Sequence, residues 1–177
     1  MTAATTDLYE SNGAGPTVTG ALSNVNMGSQ EAYNIVVATY PITAGNNSYE
    51  KWHRIGCSAA GTSTALANFR VYASTGFSAN CTHKTNCRTT SYGGAQTYRT
   101  PVATDDSGSK GYTQTMPTSD PGGTGNLGYG GTLGASMDIT SGLTKYTDYC
   151  ITQCQTTASA NVGASGITMT YKYDETG

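Results

Sequence analysis

The alternation of apolar and polar residues along the chain predicts β-strands and no long helix. The clearest strand is Ile167–Tyr173, whose odd positions are apolar or aromatic and whose even positions are Thr or Lys. Tyr146–Cys154 is predicted as a second strand, and the small, Gly/Ser-rich stretch Ala158–Gly166 between them indicates a long-looped hairpin. We expect this hairpin at the centre of the fold, with Ile167 and Met169 buried.

Four stretches upstream also predict strands: Val18–Met27 as an edge, Ala32–Ile42, Ser48–Cys57 and Thr64–Ala73. We expect Trp52, with Phe69 and Val71, to anchor the core. A length of 177 residues is near the usual size of one domain. The pattern therefore predicts an all-β fold in which residues 1–177 form a single β-sandwich, Ig-like or jelly-roll.

The stretch from Ser74 to Leu133 lacks a clear period. It is rich in Gly, Ser and Thr and poor in apolar residues. Because long structureless loops are uncommon inside compact domains, we interpret residues 74–133 as an elaborated loop insertion with one or two short strands around Tyr92–Val102. We expect it to bury little surface of its own and to become ordered on docking.

The composition narrows the function classes. Charged residues make up 11% of the chain, against roughly 25% in typical soluble domains, and the formal net charge is −2. This charge balance lacks the excess of Lys and Arg that is typical of proteins that bind nucleic acid. No apolar run approaches the ~18 residues that a bilayer span requires, and residues 1–7 lack the features of a secretory signal. We therefore expect cytoplasmic synthesis, with neither nucleic acid nor membrane as a partner.

The cysteine count is odd, since there are 5, so at least one thiol stays outside any intrachain disulfide. Cys150 and Cys154 lie at even spacing on one predicted strand, about 13 Å apart on the same face, too far to pair unless the strand breaks. Cys81 and Cys87 flank a short polar stretch and could close it. Given cytoplasmic synthesis, buried or free thiols are the favoured state.

Catalytic and metal-binding motifs are weak. Cys81, His83 and Cys87 have metal-like spacing, but structural zinc needs four ligands, so we predict no metal site. Neither His83 nor His53 stands beside a recognisable nucleophile motif, so we predict no catalytic residue, no cofactor and no enzymatic activity. Three loop acids could bind calcium, but turn formation by aspartate explains them better: Asp105, Asp106 and Asp120.

Tyrosine is the informative residue type, with 13 Tyr against 2 Phe and 1 Trp. Protein interfaces are enriched in Tyr and depleted of Lys and Glu. We therefore predict that Tyr92, Tyr98, Tyr112 and Tyr129, all in the segment 74–133, contact a protein partner. The same side chains also stack on sugar rings, which leaves carbohydrate binding open.

Six segments resemble small virion proteins of tailed bacteriophages, of the capsid decoration, cement or head-auxiliary type. They are Asp7–Gly13, Asn46–Trp52, Leu66–Tyr72, Met116–Pro121, Tyr146–Gln153 and Tyr171–Glu175. The segments follow one another in the expected order along the chain, and none of them carries a catalytic or ligand signature.

This resemblance implies a non-enzymatic structural protein of the phage virion that binds and stabilises the assembled head at the capsid surface. The implied partners are the major capsid protein and further copies of the chain, with a trimer suited to pseudo-threefold points of the capsid. Two alternatives stay open: a carbohydrate-binding adhesin on the virion surface, and a tail or neck structural subunit.

Overall fold

The structure, a computed structural model, describes residues 2–20, 22–87, 95–141, 145–161 and 166–177. Within them, two antiparallel β-sheets form a sandwich, accompanied by one short helix, α1 (Ser107–Lys110). The strands are β1 (Thr5–Asn12), β2 (Thr17–Thr19), β3 (Lys51–Ala59), β4 (Ala65–Ala73), β5 (Cys81–Thr85), β6 (Gln114–Thr115), β7 (Met137–Asp138), β8 (Lys145–Tyr146), β9 (Cys150–Thr156) and β10 (Met169–Thr176). The all-β sandwich predicted from the period of two is confirmed.

The larger sheet has the strand order β2-β1-β3-β9-β5-β6, with β8 also paired to β3. Strand β3 is central because β1 lies along one of its edges and β9 and β8 lie along the other. The predicted strand Tyr146–Cys154 is interrupted between β8 and β9. There Thr147 pairs with Ile55, whose backbone N–H donates to the Thr147 hydroxyl at 3.1 Å.

The smaller sheet has the order β10-β4-β7. Strand β4 contains Asn68 in the left-handed region, at φ 53°, a conformation that Asn tolerates better than most residues. The register with β10 shifts at the same level, which marks a bulge. The bulge consists of Asn68 and Phe69 and interrupts the period of two, so Leu66 and Phe69 are both buried in the same core.

The predicted C-terminal hairpin is wrong. Strand β10 pairs with β4, in a register that sets Met169 opposite Ala73, while β9 pairs with β3 and β5 in the other sheet. Neighbouring strands pair reliably when a tight turn joins them, whereas the connection here is long enough to cross between sheets. Since β10 is an edge strand, Ile167 and Met169 are half-buried against the core instead of central.

The core consists of two clusters on opposite faces of the larger sheet. The cluster between the sheets contains Ile55, Phe69 and Val71, whereas Trp52 belongs to the cluster on the outer face with Tyr112. Side chains on a strand alternate between faces, so Trp52 and Ile55, three positions apart on β3, point in opposite directions. The expectation that Trp52 shares one core with Phe69 and Val71 is therefore wrong, although all three are buried.

The segment 74–133 buries more surface than its composition suggests. It supplies β5, α1 and β6, and its buried side chains include Cys87, Met116 and Leu127 in the inner cluster and Tyr112 in the outer one. Its few large apolar side chains are directed inward, so low apolar content does not make it peripheral. Of the strands predicted around Tyr92–Val102, residues 95–102 form none, and 92–94 lie outside the described residues.

The predicted strand Ala32–Ile42 is also wrong. These residues form a series of turns, in which the backbone N–H groups of Thr39 and Tyr40 both donate to the Val36 carbonyl. A short apolar run such as Ile35–Val37 cannot be assigned by periodicity alone, because a packed loop and a buried strand share that pattern.

Candidate functional site

The four tyrosines predicted at an interface do not form one surface. Tyr112 is completely buried within the chain, and its predicted contact with a partner stays a prediction. Tyr98 is half-buried, with its ring 5.3 Å from that of Trp52, and Tyr129 is half-buried against the inner core. An interface role for these two stays a prediction, and Tyr92 lies outside the described residues.

A buried carboxylate explains why Tyr112 points inward. The Glu50 side chain accepts hydrogen bonds from the Tyr112 hydroxyl at 2.7 Å and the Trp52 indole N–H at 3.2 Å, and it forms an ion pair with Lys110. Burial, together with the neighbouring Glu50 carboxylate, raises the pKa of Tyr112 well above its ordinary value. Tyr112 and Lys110 belong to the segment 74–133, and both bind Glu50. The cluster therefore holds the helix region of this segment against the outer face of the larger sheet.

A second polar cluster crosses the sandwich. The Tyr171 hydroxyl lies 3.3 Å from Nδ1 of His53, whose Nε2 lies 3.1 Å from Glu10, and Lys51 binds the same carboxylate at 3.0 Å. Burial acts to raise the pKa of Glu10, but His53 and Lys51 outweigh it and the net pKa is lowered. Tyrosine, imidazole and carboxylate stand in the order of a catalytic relay. His53 and Glu10 are 0% and 1% exposed, so the imidazole and the carboxylate are buried between the strands and help to link the two sheets.

An apolar cavity of about 350 Å³ lies between the turns of residues 25–42 and the edge of the sandwich. Four parts of the chain form its walls. No sequence motif had predicted a cavity at this place. They contribute Val25, Asn26, Met27, Val37, Ala38, Pro41 and Ile42 from the turns, Phe77, Ser78, Cys81 and His83 from β5 and the residues before it, Cys154, Thr156 and Asn161 from β9 and the residues after it, and Ile167 and Met169 from the β10 end.

His83 is a buried polar group of this cavity that has no protein partner among the described residues. It is 3% exposed, and neither of its ring nitrogens has a hydrogen-bond partner among the described residues. The ring packs on Phe77 at a centroid distance of 4.7 Å and faces Cys154 across the β5–β9 ladder. Burial, and secondarily the charge of His53, lowers the pKa of His83 to about 4, so the imidazole is uncharged at neutral pH.

The cysteines are all free. Cys81 and Cys87 were expected to flank a polar loop that they could close. Instead Cys81 begins β5 and Cys87 lies beyond its end, and an extended strand holds two such residues too far apart for a disulfide. Cys81 and Cys154 both line the cavity, and burial, followed by the nearby Cys81 thiol, raises the pKa of Cys154 to about 12.

The outer side of the turns 25–42 carries an exposed apolar surface. Tyr33 is 50% exposed and Val36 is 60% exposed, and Val18 on the edge strand β2 is the third large apolar residue of this kind among those described. The loop that presents Tyr33 and Val36 is anchored, because the Lys51 ammonium donates to the Ala32 carbonyl and Glu31 accepts from the backbone of Gly13.

The loop acids form turns. Asp105 accepts a hydrogen bond from the Ser107 backbone at 3.1 Å, and Asp120 accepts one from the Gly122 backbone at 2.9 Å, the arrangement expected of turn-forming aspartates. In the part of the chain that the structure describes, no group of three or more His, Cys, Asp or Glu side chains could hold a metal ion. The same residues include no helix that is long and apolar enough to cross a membrane.

No family model, no curated protein and no solved structure matches this chain.

Proposed function

We propose that this protein is a non-enzymatic structural component of a tailed-phage virion, a capsid decoration protein that binds the assembled head and stabilises it. The observation that carries the proposal is the anchored loop that exposes Tyr33 and Val36. The partner is the major capsid protein, and copies of the chain associate with one another on the capsid surface.

The character of this surface supports binding to protein. A loop whose backbone is already held in place loses less conformational freedom on docking, which lowers the entropic cost of binding. The low content of charged residues, 11%, directs the contact toward apolar and hydrogen-bonding groups instead of ion pairs.

Stabilisation of the head follows from selective binding. A protein that binds the assembled shell but not free capsid subunits shifts the assembly equilibrium toward the shell, by an amount set by its concentration relative to its dissociation constant. Purified protein should therefore raise the melting temperature of expanded capsids that lack it, while showing little affinity for unassembled capsid protein.

A double variant, Tyr33→Ser with Val36→Ser, tests the contact surface. Both side chains are largely in solvent, so the variant should keep the stability of the parent protein. Truncation of a central interface residue typically costs 1–2 kcal/mol or more, so capsid affinity should fall by roughly 10- to 100-fold. Co-sedimentation with capsids measures occupancy against protein concentration.

Val18→Ser is the matched control, because Val18 is also an exposed apolar residue but lies on β2 instead of the loop. Unchanged occupancy for the double variant would place the contact elsewhere. Saturable binding to a glycan array without any capsid binding would favour the adhesin. Binding to tails but not heads would favour a tail or neck subunit.

A further inference from the structure

The cavity under the turns 25–42 is large enough for a small organic molecule. Its volume of about 350 Å³ is roughly twice that of an engineered cavity (~150 Å³) that binds benzene, and it lies at the lower end of the usual range for ligand pockets. The walls are mainly aliphatic, with Met27, Val37 and Ile42 on the loop side and Met169 on the sandwich side.

The charge of the lining restricts the ligand. No Asp, Glu, Lys or Arg occurs among the described residues that line the cavity. His83 is neutral above its lowered pKa of about 4, and the raised pKa of Cys154 keeps that thiol protonated. A charged ligand would lose its hydration without gaining an opposite charge, so an uncharged ligand is favoured.

His83 supplies the polar anchor. Proteins pair nearly all of their buried polar groups, and an unpaired one lowers stability. This imidazole is only 3% exposed, yet neither of its nitrogens has a hydrogen-bond partner within the described residues. A neutral imidazole has one donor and one acceptor nitrogen, and a hydroxyl group can satisfy either of them, whichever tautomer is present.

We propose that this cavity is a binding site for a compact, uncharged, largely apolar molecule that carries one hydroxyl group, with the hydroxyl bonded to His83 and the apolar body against Met27, Val37, Ile42 and Met169. A sugar fits this description less well, because its ring carries several hydroxyl groups and the apolar side chains Met27, Val37 and Ile42 offer them no partner.

Two probes that differ only in the hydroxyl group test the site: 2-naphthol and naphthalene. Ligand-observed NMR titration at neutral pH gives the dissociation constant of each. The wild-type protein should bind both, and should prefer 2-naphthol by about 3- to 10-fold, the contribution of one buried hydrogen bond.

His83→Phe keeps a ring of similar shape and removes both nitrogens, so it should bind naphthalene as the wild type does and lose the preference for 2-naphthol. Val37→Trp fills the cavity and should abolish binding of both probes. Ile42→Trp, from another part of the same wall, gives the same test if Val37→Trp does not fold.

The proposal is overturned by equal affinities in the wild type, by a preference that survives in His83→Phe, by binding that survives the filling variants, or by no binding of either probe. Capsids take no part in these titrations, so their outcome is independent of the proposed role in the virion.

Discussion

Replacement of His83 by phenylalanine should weaken the dependence of stability on pH between about pH 7 and pH 5. In the folded protein, burial lowers the pKa of His83 from 6.5 to about 4. As the pH falls below 6.5, the unfolded chain takes up a proton at this residue while the folded protein does not. The free energy of unfolding therefore decreases, and the decrease is complete below pH 4.

The magnitude follows from the two pKa values. A pKa difference of about 2.5 corresponds to about 3 kcal/mol in full, at roughly 1.4 kcal/mol per pH unit. About 2 kcal/mol of this loss falls between pH 7 and pH 5. Glu10 contributes in the same direction only below its ordinary pKa of 4.5, because its pKa in the folded state is lowered, so this window separates the two groups.

Urea unfolding at pH 7, 6 and 5, in the presence of a reducing agent, measures the effect. Trp52 is the single tryptophan and is completely buried, so its fluorescence reports unfolding directly. His53 is present in both proteins, and the difference between wild type and His83→Phe therefore isolates His83. An equal loss of stability in both proteins over this range would show that His83 is not held neutral by burial.

Three further predictions concern packing, the buried ion pair and the thiols. Phe69→Ala should lower the free energy of unfolding by about 3–5 kcal/mol, because the ring is buried between the sheets; a loss below about 1 kcal/mol in urea unfolding would contradict that packing. Lys110→Met should cost about 3 kcal/mol because it leaves the buried Glu50 carboxylate without its cation, and adding Glu50→Gln should recover part of the loss in the same assay. Iodoacetamide should modify the half-buried Cys81 in the native protein and Cys87 only after unfolding, since Cys87 is completely buried and burial raises its pKa; peptide mass spectrometry showing equal rates would contradict this order.

The local pattern was sufficient for several strands. The predictions Ser48–Cys57 and Thr64–Ala73 agree with β3 and β4 to within a few residues, and the half-buried face of β10 is the one that the alternation of Ile167–Tyr173 indicated. Alternation between faces is a property of adjacent residues, so it can be read without knowledge of the partner strand. The same reasoning indicated that Cys150 and Cys154 share a face, and both are buried on β9.

The pairing partner of β10 could not be predicted from the local alternation of residues. Which strand lies beside β10 depends on which apolar faces meet across the sandwich, and the long loop before β10 permits either sheet. The segment 74–133 shows the converse problem. From its polar composition we did not predict that Tyr112 and Lys110 would bind the carboxylate of Glu50, which lies just before β3. There satisfied hydrogen bonds take the place of apolar contacts.

The sequence by itself determined the fold class, the strand-forming segments of the core and the scarcity of charge, since each depends on composition or on neighbouring residues. Only the tertiary structure decided the environment of His83. In the sequence this residue stands among Thr, Lys and Asn and suggests an exposed loop, whereas in the fold it lies on β5 beneath the turns that carry Val37 and Ile42. Burial of a polar side chain without a partner results from contacts between segments remote in the chain, and no local pattern records such contacts.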